Sequence, residues 1–150
     1  MSYPDSDNQE TNSLFPENDI AIGSVFLIDI EEFNILHSKY IIIVSENDDE
    51  FLYAFVVVNS KINENYFPTD YLKSLHIKIK EEHHSFLKYD SYADCSNILE
   101  IKKEKLKGLL KQKPDLKKGK ISESILASIH YTITMAKTIT KAVKKKFGFL

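Results

Sequence analysis

The stretches KYIIIVS (Lys39–Ser45) and FLYAFVVVNS (Phe51–Ser60) decide the fold. Each is a short run of β-branched and aromatic residues, the composition that favours strands. In the first, three isoleucines and a valine follow one another with no polar residue between them. A strand with one solvated face would alternate, so this one is expected to be buried on both faces. The polar break ENDDE (Glu46–Glu50) is the length of a hairpin loop and predicts that the two strands pair antiparallel.

Outward from this pair, GSVFLIDI (Gly23–Ile30) reads as a preceding strand, with Gly23 at its start and Glu31–Ser38 as the connection. On the other side, residues 61–74 read as a loop containing Pro68. LHIKIK (Leu75–Lys80) alternates as a strand with one buried face should, residues 85–92 offer another β-rich piece, and Asn97–Ile101 is a short last strand. Helical spacing follows at once. Lys102–Lys113 sets Leu106, Leu109 and Leu110 along one side and stops before Pro114, whose ring disfavours helix in the residue ahead of it.

Ser122 is placed to cap a last helix in which Ile125, Leu126, Ile129, Ile133, Ala136, Ile139 and Val143 keep an i, i+3, i+4 stripe. Lys144–Lys146 suit the negative end of its dipole, and Gly148 closes it. The stripe can pack on its own sheet or on a partner subunit. The fold class is therefore α+β: a small twisted antiparallel sheet over about residues 20–101, then a lysine-rich helical end over 102–150. Residues 1–19 are acidic, with little apolar content beyond Tyr3, Leu14 and Phe15, and are expected to form a disordered tail.

Composition narrows the function classes. A chain of 150 residues fits one domain that buries its own core. Cys95 is the only cysteine, so no intrachain disulfide and no cysteine-based zinc site can form. The first residues have neither the basic start nor the apolar core of a signal peptide, and no apolar run approaches a membrane span, so a cytoplasmic protein with no membrane partner is expected. Residues 1–100 hold 6 Lys and 19 Asp or Glu, a net −13, whereas residues 101–150 hold 14 Lys and 3 acids, a net +11. Such a split points to an electrostatic partner for the basic part, or to an ordinary solvated helix face. There is no arginine, so phosphate contacts must use lysine, backbone amides or hydroxyls.

No phosphate-binding glycine loop, nucleophile elbow or zinc-protease signature is present, and neither a cofactor nor a metal is called for. His83 and His84 are adjacent, but neighbouring strand side chains point to opposite faces and no carboxylates sit around them at ligand spacing. His130, beside the apolar stripe, reads as a satisfied helix-flank histidine. The more suggestive set lies at strand ends: His37, Ser38 and Lys39 open the second strand, Asn59, Ser60 and Lys61 leave the third, and Asp90 and Ser91 precede the last. A hairpin of the second and third strands brings Lys39 and Ser60 together. Metal-free RNA cleavage needs a group to activate the 2′-hydroxyl, one to stabilise the phosphorane and one to protonate the leaving oxygen, which lysine, hydroxyl and histidine can supply. Ordinary strand-end solvation accounts for the same residue types.

The order of these segments resembles the MazF/PemK family of bacterial toxin ribonucleases. The resemblance is carried by GSVFLIDI, KYIIIVSEN, FVVVNSKI, DSYADCSNILEIKKEKL and GKISESILASIHYTITMAKTI, over about residues 20–140. It implies an SH3-like antiparallel barrel with C-terminal helices, a homodimer, metal-independent cleavage of single-stranded RNA, and an antitoxin protein that blocks the groove. Lys39 falls where the family has an arginine, Ser60 where it has a threonine, and Ser91 at its common serine. On this reading Lys39 stabilises the phosphorane, Ser60 positions the phosphate and His37 transfers a proton, while Lys61, Asn59 and Ser91 bind substrate. The other reading is a non-catalytic module of the same fold that binds nucleic acid or protein.

Overall fold

The computed structural model describes residues 20–29 and 38–150. The expected tail at 1–19, the connection through residue 37, and His37 itself lie outside the described residues. Six strands are described: β1 (Ser24–Ile28), β2 (Lys39–Asn47), β3 (Leu52–Asn59), β4 (His76–Ile79), β5 (Ser91–Lys102) and β6 (Lys117–Lys120). Four helices accompany them: α1 (Asp70–Ser74), α2 (Lys103–Gln112), α3 (Glu123–Met135) and α4 (Lys141–Lys146). The strands form one curled antiparallel sheet in the order β4-β5-β3-β2-β1-β6.

The unbroken apolar run is buried on both faces, as its pattern requires. Ile41 and Ile43 turn to one side with Phe26, Phe55 and, from α2, Leu106 and Leu110. Ile42 and Val44 turn to the other with Val25, Val56, Val58 and, from α3, Ile129 and Ile133. Each side chain of Ile41–Val44 is at most 1% exposed, and burying one of this size contributes about 1.5–3 kcal/mol. The apolar stripe of the last segment therefore packs on its own sheet, with Ala136, Ile139 and Phe147 joining the same core. β2 and β3 pair as the hairpin expected, from Tyr40 opposite Val58 to Asn47 opposite Leu52.

Several expectations need correction. Residues 85–90 are a loop, and the strand expected at Asn97–Ile101 is β5, the longest, twelve residues starting at Ser91. Its pairing with β3 jumps from Leu99 opposite Phe55 to Asp94 opposite Val57, so extra residues around Cys95–Ile98 bulge out and bend the sheet. The presumed loop before β4 holds the short helix α1, capped by Thr69 Oγ1 accepting from Leu72 N–H.

The lysine-rich end is not wholly helical: β6 (KKGK) returns to pair with β1. It has no apolar residue, so propensity could not reveal it, and its lysines guard an exposed sheet edge. The last helix is two. The chain leaves α3 at Ala136, whose ψ of 125 is extended, and restarts where Thr140 Oγ1 accepts from Val143 N–H. The Lys144 ammonium, itself buried, donates to Thr134 O at 2.8 Å and so caps the end of α3. Gly148, with φ of 80, closes α4. Among the described residues no helix is long and apolar enough to cross a membrane.

Candidate functional site

Antiparallel pairing brings the end of β1, the start of β2, the end of β3 and the start of β5 to one edge of the sheet. Lys39 pairs with Ile28 on one side, and on the other the ladder sets Tyr40 against Val58, so Lys39 meets Asn59. The Lys39 ammonium donates to Asn59 Oδ1 at 3.0 Å. An open groove of about 350 Å³ lies here, walled by Ser38, Lys39, Tyr40, Asn59, Ser60 and Ser91 from the strand ends. Leu27 and Val58 form apolar wall, and Leu87, Lys88 and Tyr89 complete it. Among the described residues no carboxylate lines it, and the polar lining is two lysines, three serine hydroxyls and an amide.

The loop of residues 84–90 is braced at several points. The Tyr40 hydroxyl donates to Phe86 O at 2.8 Å, and the two rings pack 5.7 Å apart. His84 is buried: its Nδ1–H donates to Lys80 O at 2.9 Å, leaving Nε2 to accept from Ser122 N–H. Asp90 Oδ1 accepts from Glu81 N–H at 2.9 Å. That backbone donor, and then the charge of Lys78, hold the Asp90 carboxyl below the usual carboxylate range. Ser91 Oγ donates to Tyr89 O at 3.1 Å and is buried, so this serine fixes the loop as well as lining the groove.

Of the residues singled out from sequence, Lys39, Asn59, Ser60 and Ser91 share this groove. Lys61 is exposed and does not line it. His37 lies outside the described residues. Lys88 and Tyr89 were missed because SFLKY looks like a strand; two of the braces that make it a loop, Tyr40 and Ser122, come from residues distant in sequence. His83 is exposed beside Glu82, so the adjacent histidines are divided between surface and core. His130 Nε2 donates to Val44 O at 2.8 Å, the satisfied role expected of it. Among the described residues no group of three or more His, Cys, Asp or Glu is placed to hold a metal ion.

Elsewhere the charged clusters join elements. Lys103 bridges Glu46 and Asp48 at the hairpin loop to the start of α2. Burial works against its charge, but the hydrogen bonds it donates to both carboxylates prevail and push it up to about 12. Lys146 reaches Glu100 and Glu50 and ties α4 to the sheet. Part of the basic half is thus answered by the acidic half within the molecule. No protein-family model and no curated protein matches the chain.

Proposed function

We propose that the groove at Lys39 binds the phosphodiester backbone of single-stranded RNA, and that the chain is a MazF/PemK-like endoribonuclease acting without a metal. The observation that carries the reading is the groove's chemistry: Lys39, Lys88, Ser38, Ser60, Ser91 and Asn59 line it, and no carboxylate does among the described residues. The Lys39 ammonium has three N–H donors and commits one to Asn59. The two others are available to non-bridging phosphate oxygens, where they stabilise the charge that builds as the 2′-oxygen attacks phosphorus. The exposed Ser60 hydroxyl supplies a further donor at the same edge. The SH3-like form of the barrel, a homodimer and an antitoxin seated in the groove belong to the same proposal. It is supported by the order of segments and by the β1-β2-β3 meander with β5 beside β3.

A second reading, a binding module of this fold that does no chemistry, is favoured by one observation. Among the described residues lining the groove there is no imidazole and no carboxylate to accept the 2′-hydroxyl proton at neutral pH. Incubation of a long single-stranded RNA in EDTA, wild type beside Lys39→Ala, separates the two. Lysine-dependent fragments ending in 2′,3′-cyclic phosphate support the ribonuclease. Salt-sensitive binding with intact RNA supports a nucleic-acid-binding module, and an absence of binding overturns both RNA readings and leaves a module that binds protein.

A further inference from the structure

We infer that Tyr89 is a stacking platform for an unpaired base, with Lys88 on the neighbouring phosphate, so that the groove selects single strands by their bases as well as their charge. The inference rests on the RNA reading above and adds to it a residue and a selection rule.

Tyr89 is 60% exposed and lines the groove on a backbone pinned at several points. Its carbonyl accepts from Ser91 Oγ. Two residues before it, Leu87 is buried in the core, and its N–H donates to His84 O at 3.0 Å. One residue after it, Asp90 is held by Glu81 N–H and Lys78. The ring is thus offered to the groove by a chain segment that is already ordered, so a planar ligand loses little additional freedom in meeting it. The same contacts occupy the Asp90 carboxylate. Lys88 is exposed and has no ion-pair partner among the described residues, so its charge is left for an incoming anion.

A nucleotide is the ligand class that offers both a flat π face and an adjacent anion, and base–aromatic stacking tolerates any sequence. A base inside a duplex already has both faces covered. An unpaired one does not, which makes the pair Tyr89 and Lys88 a discriminator of strandedness.

The test uses the full chain and a short fluorescent RNA bearing 2′-O-methyl groups, which binds without being cleaved. It is compared with an abasic strand of the same backbone and with its duplex, by anisotropy at fixed salt. Stacking of one base changes affinity by about 5-fold or more. Wild type is expected to prefer the base-bearing strand over the abasic one by about that factor. Tyr89→Ala should bind the two strands alike, and Tyr89→Phe should keep the preference. Lys88→Ala should weaken both strands equally and lower the salt slope. Equal wild-type affinity for the two strands overturns the inference and leaves the RNA reading standing. So does a preference that survives Tyr89→Ala. A wild type that binds none of the three probes overturns the RNA reading and the inference with it. Where the alanine variant fails to fold, equal wild-type affinity for the two strands still overturns the inference.

Discussion

Lys39 and Asn59 close the open end of the β2–β3 hairpin, the lysine ammonium donating to the carboxamide oxygen at 3.0 Å. The contact holds the cation at the groove without neutralising it, since an amide carries no charge. Converting the amide to a carboxylate by Asn59→Asp keeps the acceptor and cancels the charge. We expect Lys39→Ala to lower the slope of log affinity for single-stranded RNA against log salt by about 0.7, one phosphate contact on a single strand. Asn59→Asp should weaken binding most at low salt. Anisotropy titrations across a salt series check both, and an unchanged slope in Lys39→Ala removes this lysine from the interface.

The brace at Asp90 is sensitive to acid. Its carboxyl is held below the usual range, chiefly by the Glu81 N–H that it accepts. A group with a depressed folded pKa stabilises the fold above its unfolded value, near 3.9, and loses that contribution as pH falls through the folded value. Asp90→Ala should therefore be less stable than wild type at pH 7, and the gap should narrow below about pH 4. Urea midpoints of the two proteins across pH 3–7 test this; a gap independent of pH would mean that the carboxylate charge is irrelevant to the loop.

How far the sequence could be read follows from where each signal resides. The hairpin, the buried double-faced strand β2 and the caps at Ser122 and Gly148 are local, written in consecutive residues. So the sequence alone places Lys39, Asn59 and Ser60 at one strand edge. Strand β6 and the loop of residues 84–90 are set by distant partners. KKGK becomes a strand only because β1 offers an edge, and SFLKY becomes a loop because Tyr40, Glu81 and Ser122 hold its neighbourhood. The break between α3 and α4 carries no proline or glycine; a lysine cap and Thr140 make it, and hydrophobic periodicity runs straight across.

Double-sided burial of β2 has a simple consequence. Ile41 and Ile42 are both 0% exposed and face different cores, one under α2 and one under α3. Ile41→Ala and Ile42→Ala should each cost about 2–5 kcal/mol. In a sheet with one wet face, one of the two would be nearly neutral. Chemical denaturation of the two variants measures the difference, and a near-neutral member of the pair would contradict burial of both faces.

His130 fixes a different weak point. Between Ile43 and Ser45 the ladder to β3 shifts by one residue, leaving Val44 as the extra one, and His130 Nε2 donates to its carbonyl at 2.8 Å. The ring also meets Phe149 edge-on. His130→Phe keeps a flat ring but removes the donor, and an acceptor left without its partner costs about 1–3 kcal/mol. His130→Gln, which retains an N–H, should recover part of that loss. Denaturation midpoints of the three proteins decide the matter, and equal losses in both variants would assign the effect to packing.

Cys95 reports on the fold from inside. It is fully buried next to the bulge of β5, with its thiol donating weakly to Ala93 O. Burial, and after it the Asp94 carboxylate, push the thiol up to about 12. Because the thiolate is the nucleophile, alkylation at pH 8 should proceed only through unfolding and slow down as stability rises. The folded pKa lies above that of the unfolded chain, so the folded state keeps its proton where the unfolded one loses it, and stability must fall as pH rises from about 9 toward 12. The slope from this one group approaches about 1.4 kcal/mol per pH unit. Tyrosines and lysines titrate over the same span, so the signal is the difference between wild type and Cys95→Ala rather than either curve alone. A difference that stays flat from pH 8 to pH 11 would mean that the thiol ionises as readily in the core as in the unfolded chain, and that the bulge beside it admits water.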